Sequence, residues 1–334
     1  LDSYNLLVPH SSCGDLYTSY VQERGHVALK PNQMGLKIDA TSSDQPCDTF
    51  VLHPKAGGFK KIYDVNEGIF LANTGHLDRK VTKDDWEQGT RTDLFSHTSL
   101  EKEAYSIDPF KEKHGTGILG RLLDVFEQNG YTVGPNSLNA ETPMLGGDPK
   151  ILRAVDVLPT TGIPVFSRQH LLENRNSVGD IKPTIMELNS ESKPENGVHA
   201  NYWSQHLVNN WNRTDTLYAI LKNNPTLTTF SYRGIMPYFK VISQMIRAHK
   251  DRKVNRDAFF VRIGGLDAHT MIASNLNTHI DDLSTSFEAF QAEMKAQNNY
   301  HKVTVLMQSE FGRTITPNSR EGTDHGWGGN YFMF

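Results

Sequence analysis

The sequence predicts an α/β fold built on parallel strands, and three observations carry that prediction. First, a strand over 258–263, a helix and a second strand over 303–307 follow one another in the last third of the chain. Second, the helix carries Ile280, Leu283, Phe287, Phe290 and Met294 at alternating steps of three and four, the spacing of one buried helical face. Third, the 303–307 strand is nearly all apolar, as a strand covered on both faces should be. A strand–helix–strand unit of this spacing crosses over right-handed and leaves its strands parallel. Ligands of such sheets bind just beyond the C-terminal strand ends.

The remaining elements are read in order. An apolar segment over 4–9 ends at a proline and marks a strand end. A short helix is predicted over 16–24, a polar loop over 39–48, a helix over 57–66, and a strand over 69–73 that runs into Thr74-Gly75-His76. Residues 78–95 are charged and irregular. Thr98 followed by Glu101 fits a capping box at the start of the next helix, in which each side chain satisfies a free backbone N–H. The helix over 117–129 puts Ile118, Leu119, Leu122, Leu123 and Phe126 on one face. Residues 130–200 are rich in Pro, Gly and Asn and read as a loop-rich insertion. Helices resume over 202–221 and 236–249.

Composition narrows the function classes. The 334 residues suffice for one large domain. A formal charge of −4 and the lack of a basic run argue against nucleic acid as a partner. No stretch approaches the roughly 20 apolar residues of a membrane span. Two cysteines, Cys13 and Cys47, are too few for a disulfide scaffold; they are separate thiols, or one bridge if the protein is exported. The chain opens at Leu1 and stops within the apolar run Tyr331-Phe332-Met333-Phe334. It is therefore read as a single domain over 1–334 truncated at both ends, and the lack of a leader says nothing about destination.

Chemistry collects at the predicted strand ends. Gly264-Gly265-Leu266-Asp267-Ala268-His269 follows the first strand. Ser309-Glu310-Phe311-Gly312-Arg313-Thr314 follows the second, and Gly322-Thr323-Asp324-His325-Gly326 comes soon after. Carboxylates and imidazoles are the donors that divalent metals prefer, and the glycines let the backbone aim several of them at one point. Each residue alone has a plain use: Asp267 can cap a turn, Glu310 and Arg313 can pair. Their joint arrival at successive strand ends favours a site. Ser96 precedes a helix start, where negative charge is stabilised, and is the candidate nucleophile.

These stretches, with the opening Leu1-Asp2-Ser3-Tyr4-Asn5-Leu6-Leu7-Val8-Pro9, Leu52-His53-Pro54 and Leu94-Phe95-Ser96-His97, resemble the DUF1501 family. The resemblance places the chain in the alkaline phosphatase and sulfatase superfamily. It implies a mostly parallel central sheet with helices on both faces, a divalent metal (Zn, Ca, Mg or Mn) at the strand ends, and a secreted or periplasmic location. It further implies that Asp2, Asp267, His269, Glu310, Asp324 and His325 are metal ligands or their neighbours, with Ser96 as nucleophile. Phe311 stands where related enzymes carry a His ligand, which puts a two-metal site in question, and no Cys-x-Pro-x-Arg sulfatase stretch is present. The function expected is metal-dependent hydrolysis of a phosphate or sulfate ester, of a small anionic substrate or a sulfated or phosphorylated glycan. In that reaction Arg313 grips the anionic group in bidentate fashion. The alternative is a non-catalytic secreted protein that contains a metal and binds a glycan or cell-wall ligand.

Overall fold

The computed structural model describes residues 1–75, 77, 79, 81, 82, 84–89, 93, 95–106, 116–140, 142–150, 156, 157, 178–191 and 197–334. His76, Leu94 and much of the 130–200 stretch lie outside the described residues. The first third contains β1 (Leu7–Pro9), α1 (Asp15–Arg24), β2 (Leu36–Asp39), β3 (Thr49–Leu52), α2 (Gly57–Asp64) and β4 (Ile69–Gly75). The middle contains α3 (Trp86–Gly89), α4 (His97–Tyr105), α5 (Ile118–Gln128), β5 (Val133–Ser137), β6 (Asp156–Val157), α6 (Val178–Ser190) and α7 (Gly197–Asn223). The last third contains α8 (Met236–Arg247), β7 (Arg256–Phe260), α9 (Ile272–Ala296), β8 (Leu306–Met307), β9 (Gly312–Arg313), β10 (His325–Gly326) and β11 (Gly328–Met333).

The chain is α/β, but the expected mostly parallel central sheet of an alkaline-phosphatase-like fold is absent among the described residues. The strands divide instead into small sheets, ordered β1-β3-β2, β4-β11-β8 and β6-β5-β7, with a separate β9-β10 ladder. Among the described residues only the β6-β5-β7 sheet pairs its strands in parallel. The strands flanking α9 lie in different sheets, so the predicted parallel strand–helix–strand unit does not form. The cause is visible at β8. Val305 and Phe334 exchange both backbone hydrogen bonds, at 2.7 and 3.0 Å, and Phe332 and Met333 pair with Met307 and Leu306. An antiparallel neighbour thus occupies the edge. The apolar run over 303–307 lies at the rim of the core, with Leu306 half exposed, rather than beneath helices on two sides.

The helix prediction around α9 holds and explains the core. All five residues of its apolar stripe are buried. Phe287 meets Phe59 of α2 edge-on, with ring centroids 5.1 Å apart, and Phe290 stacks on Phe239 of α8 at 4.5 Å. Phe332 of β11 closes the group against Phe59 at 5.0 Å. Aromatic pairs at these separations add about 1 kcal/mol each beyond the area they bury. Helix α2 reaches α9 backbone to backbone. A Cβ on Gly58 would lie 2.1 Å from the Ser284 carbonyl oxygen, while the Gly58 N–H donates to Ser284 Oγ at 2.7 Å. Cys13 and Cys47 form a disulfide that ties the turn after β1 to the segment leading into β3. No helix among the described residues is long and apolar enough to cross a membrane.

Candidate metal centre

Three backbone segments frame the site. In the β9-β10 ladder Arg313 stands opposite His325. Thr314 N–H donates to the Asp324 carbonyl at 2.8 Å, which extends that pairing by one step. The segment 268–272 joins from the other side: Thr323 N–H donates to Ala268 O at 3.1 Å, and Ile272 N–H to Glu321 O at 2.8 Å. Gly322 lies so close to His269 that a Cβ there would sit 2.0 Å from the His269 carbonyl carbon. Phe95, ahead of α4, and His97, its first residue, reach the assembly from a third segment.

Asp267 is the hub. Its Oδ1 lies 3.1 Å from Nε2 of both His269 and His325, and its Oδ2 lies 3.4 Å from Nε2 of His97. The opposite edge of each ring is pinned. His97 Nδ1 lies 3.0 Å from Glu310 Oε1, His269 Nδ1 lies 2.8 Å from Asp324 Oδ1, and His325 Nδ1 lies 2.8 Å from the Phe95 carbonyl. Carboxylates and carbonyls only accept, so each ring donates from Nδ1 to the acceptor behind it. Each Nε2 then faces the same carboxylate, as a donor where the ring is charged and with a lone pair where it is neutral. Donor atoms of His97, Asp267 and His325 all lie within 4.8 Å of one another.

The structure brings together five of the sequence-predicted residues: Asp267, His269, Glu310, Asp324 and His325. Glu310 and Asp324 stand behind imidazoles rather than beside them. Asp2 stands behind the cluster, joined to Arg313 through the Thr323 hydroxyl. It is fully buried, with Oδ1 accepting from Tyr4 N–H at 3.2 Å and Oδ2 accepting from Arg24 Nη1 and Thr323 Oγ1, both at 3.0 Å. Arg313 is 2% exposed. Its guanidinium meets Asp267 through Nη1 and the Thr323 carbonyl through Nη2, with Nε 3.3 Å from Thr323 Oγ1. The expected grip on a substrate anion is therefore replaced by a grip on Asp267. Ser96 is the N-cap of α4, its Oγ accepting from Ser99 N–H at 3.4 Å, so Ser96 takes the capping position expected of Thr98. His97 was not singled out in sequence. The signal available was its place beside Ser96 in Leu94-Phe95-Ser96-His97.

The charges are consistent with a site that favours cations. Burial pushes the Asp267 carboxyl up, but the Arg313 guanidinium beside it, with His269 and His325, holds it below the ordinary carboxylate range. The hydrogen bond from His269 holds Asp324 down in the same way, against partial burial and with help from Asn318. Both carboxylates are thus ionised at neutral pH. Glu310 adds a third acidic group, and its Oε2 is buried without a hydrogen bond.

No curated protein and no solved structure matches the chain. The match that exists covers Trp211 to Phe334 and so includes α8, α9, Asp267, His269, Glu310, Arg313, Asp324 and His325, while Ser96 and His97 lie ahead of it. On that span, residues 211–334, the chain matches the family described as a protein of unknown function, DUF1501.

Proposed function

We propose that His97, Asp267 and His325, with His269 beside them, hold one divalent metal ion, and that the protein hydrolyses phosphate or sulfate esters there. One observation carries the metal reading: three imidazoles, each fixed through Nδ1 by an acceptor, turn their Nε2 atoms onto one carboxylate. Neutral rings so arranged set lone pairs against a carboxylate, which a cation between the groups relieves as a proton on each ring would, and an acceptor behind a ligating imidazole is the usual support of a metal-bound histidine. A nitrogen-rich donor set suits zinc or manganese better than calcium or magnesium.

When bound, such an ion polarises an ester oxygen and lowers the pKa of a coordinated water or hydroxyl. The chain's residues supply the rest. Glu310, Asp324 and the Phe95 carbonyl hold the rings in one orientation. Arg313 fixes Asp267 and keeps it ionised. Ser96 lies between Phe95 and His97, two residues that touch the centre, and at the first turn of α4, where helix N–H groups favour an anion. This supports an anionic ester as substrate and Ser96 as nucleophile. The disulfide supports a secreted or periplasmic setting, since such bonds persist in oxidising compartments. The substrate classes in view are small anionic esters and sulfated or phosphorylated glycans.

A second reading is favoured by Arg313. With its guanidinium consumed internally, the site lacks the expected anion clamp, which suits a metal-containing binding protein for glycans or cell-wall ligands.

The test is metal content by mass spectrometry on protein purified without chelators, beside an Asp267→Ala, His325→Ala variant. Roughly one zinc or manganese ion per chain is expected in the parent, with none in the variant. Turnover of p-nitrophenyl phosphate or sulfate should vanish with a chelator and return with the metal. No metal in the parent would sink the reading. Metal without turnover would favour the binding protein.

A further inference from the structure

We propose that Asn318 is a positioning residue that sets the orientation of His269 through Asp324, an inference that rests on the metal-centre reading above. Asn318 stands in the turn between β9 and β10, away from the three converging Nε2 atoms. Its side-chain amide is fully used. Nδ2 donates to Asp324 Oδ1 and to the His269 carbonyl, both at 3.1 Å. Oδ1 accepts from Arg320 N–H at 3.0 Å and from Gly322 N–H at 3.1 Å. Two acceptors on one side and two donors on the other allow a single orientation of the amide.

The consequence follows from which atom is shared. Asp324 Oδ1 accepts both from Asn318 Nδ2 and from His269 Nδ1. The carboxylate is more than half exposed and would otherwise rotate freely about its own bonds. Asn318 removes that freedom and also ties the backbone of His269 to the same turn. The ring is therefore held at both its Nδ1 and its main chain, and Nε2 is delivered 3.1 Å from Asp267 and 3.2 Å from His325. The acceptor half of the amide closes the turn onto Arg320 and Gly322, and the donor half joins that turn to the His269 main chain and to the Asp324 carboxylate. The donor half faces the site.

Asn318→Asp separates the two halves. It keeps an acceptor for the turn and removes the donor, placing a carboxylate against Asp324. Asn318→Ala removes both. In the full chain, the Nδ1–H proton of His269 should give a downfield NMR signal that exchanges slowly with water. In both variants its exchange should quicken by about tenfold or more, the equivalent of one lost hydrogen bond, with the His97 and His325 signals unchanged. Zinc affinity by chelator competition should fall by about 10–100-fold, as for other groups that support a ligand from behind, and the visible spectrum of the cobalt form should shift. The loss of zinc affinity should appear in Asn318→Asp as well as in Asn318→Ala, although both variants melt lower than the parent. An unchanged His269 proton in both variants would overturn the inference. So would zinc loss confined to Asn318→Ala and matched by a lowered melt. If the parent takes up no zinc but the His269 signal still responds, the metal reading fails and the positioning role of Asn318 stands.

Discussion

His53 illustrates how a single buried group couples the fold to pH. The ring is 4% exposed, its Nδ1 accepts from Lys55 N–H at 3.2 Å, and burial, with a smaller effect from the Lys55 charge, lowers its pKa from 6.5 to about 4. The folded pKa lies below the unfolded one. The unfolded chain therefore takes the proton first as pH falls, and stability that is complete above 6.5 is lost down to about 4, after which the loss is constant. The size is about 3 kcal/mol. Urea unfolding of the parent and of His53→Gln across that range should show the difference; the same slope in both would refute it. Sequence reasoning reached the residue scale unevenly. Asp267, His269 and His325 were legible because glycines and predicted strand ends surround them. The roles of Asp2 and Arg313 were not, because a carboxylate or guanidinium reads the same whether it faces a ligand or another buried charge. Arg24, the partner of Asp2, lies 22 residues from it and carries no motif.

At the scale of the element, α4 joins fold and site. Ser96 caps it, and replacing a serine cap by alanine costs about 1 kcal/mol while glycine costs a few tenths. Ser96→Ala and Ser96→Gly therefore differ in stability but share the loss of the hydroxyl. If Ser96 is the nucleophile, both variants lose turnover at normal metal content. Turnover retained in the glycine variant would leave Ser96 as a cap alone. The helices were the legible elements. The stripe on α9 follows from period and size, whereas Ile118 and Leu122 of the face expected on α5 stay exposed. Strand partners were not legible: apolar runs over 258–263 and 303–307 mark two strands, but nothing local says that one pairs with β5 and the other with β11. Pairing is decided by residues such as Phe332 and Phe334, which bury themselves against α2 and α9 and bring β11 to the edge of β8.

Across the whole molecule, the disulfide is the feature whose effect is most easily measured. Cys13 and Cys47 are 34 residues apart. Closing a loop of that length removes unfolded-state entropy worth about 4 kcal/mol in the chain-entropy treatment. The Cys13→Ser, Cys47→Ser protein should lose most of that in urea unfolding, with the imidazole cluster intact in the folded fraction; an unchanged midpoint would overturn the estimate. The centre joins segments far apart in the chain. The hydrogen bond from His325 to the Phe95 carbonyl spans 230 residues. A ribosome adding about 5–20 residues per second therefore makes Phe95, Ser96 and His97 roughly 10–45 s before it makes His325. During that interval His97 has neither Asp267 nor Glu310 to face for most of the time. The growing chain must keep this segment out of wrong partnerships until the last strands arrive, a demand on synthesis that the finished fold no longer displays.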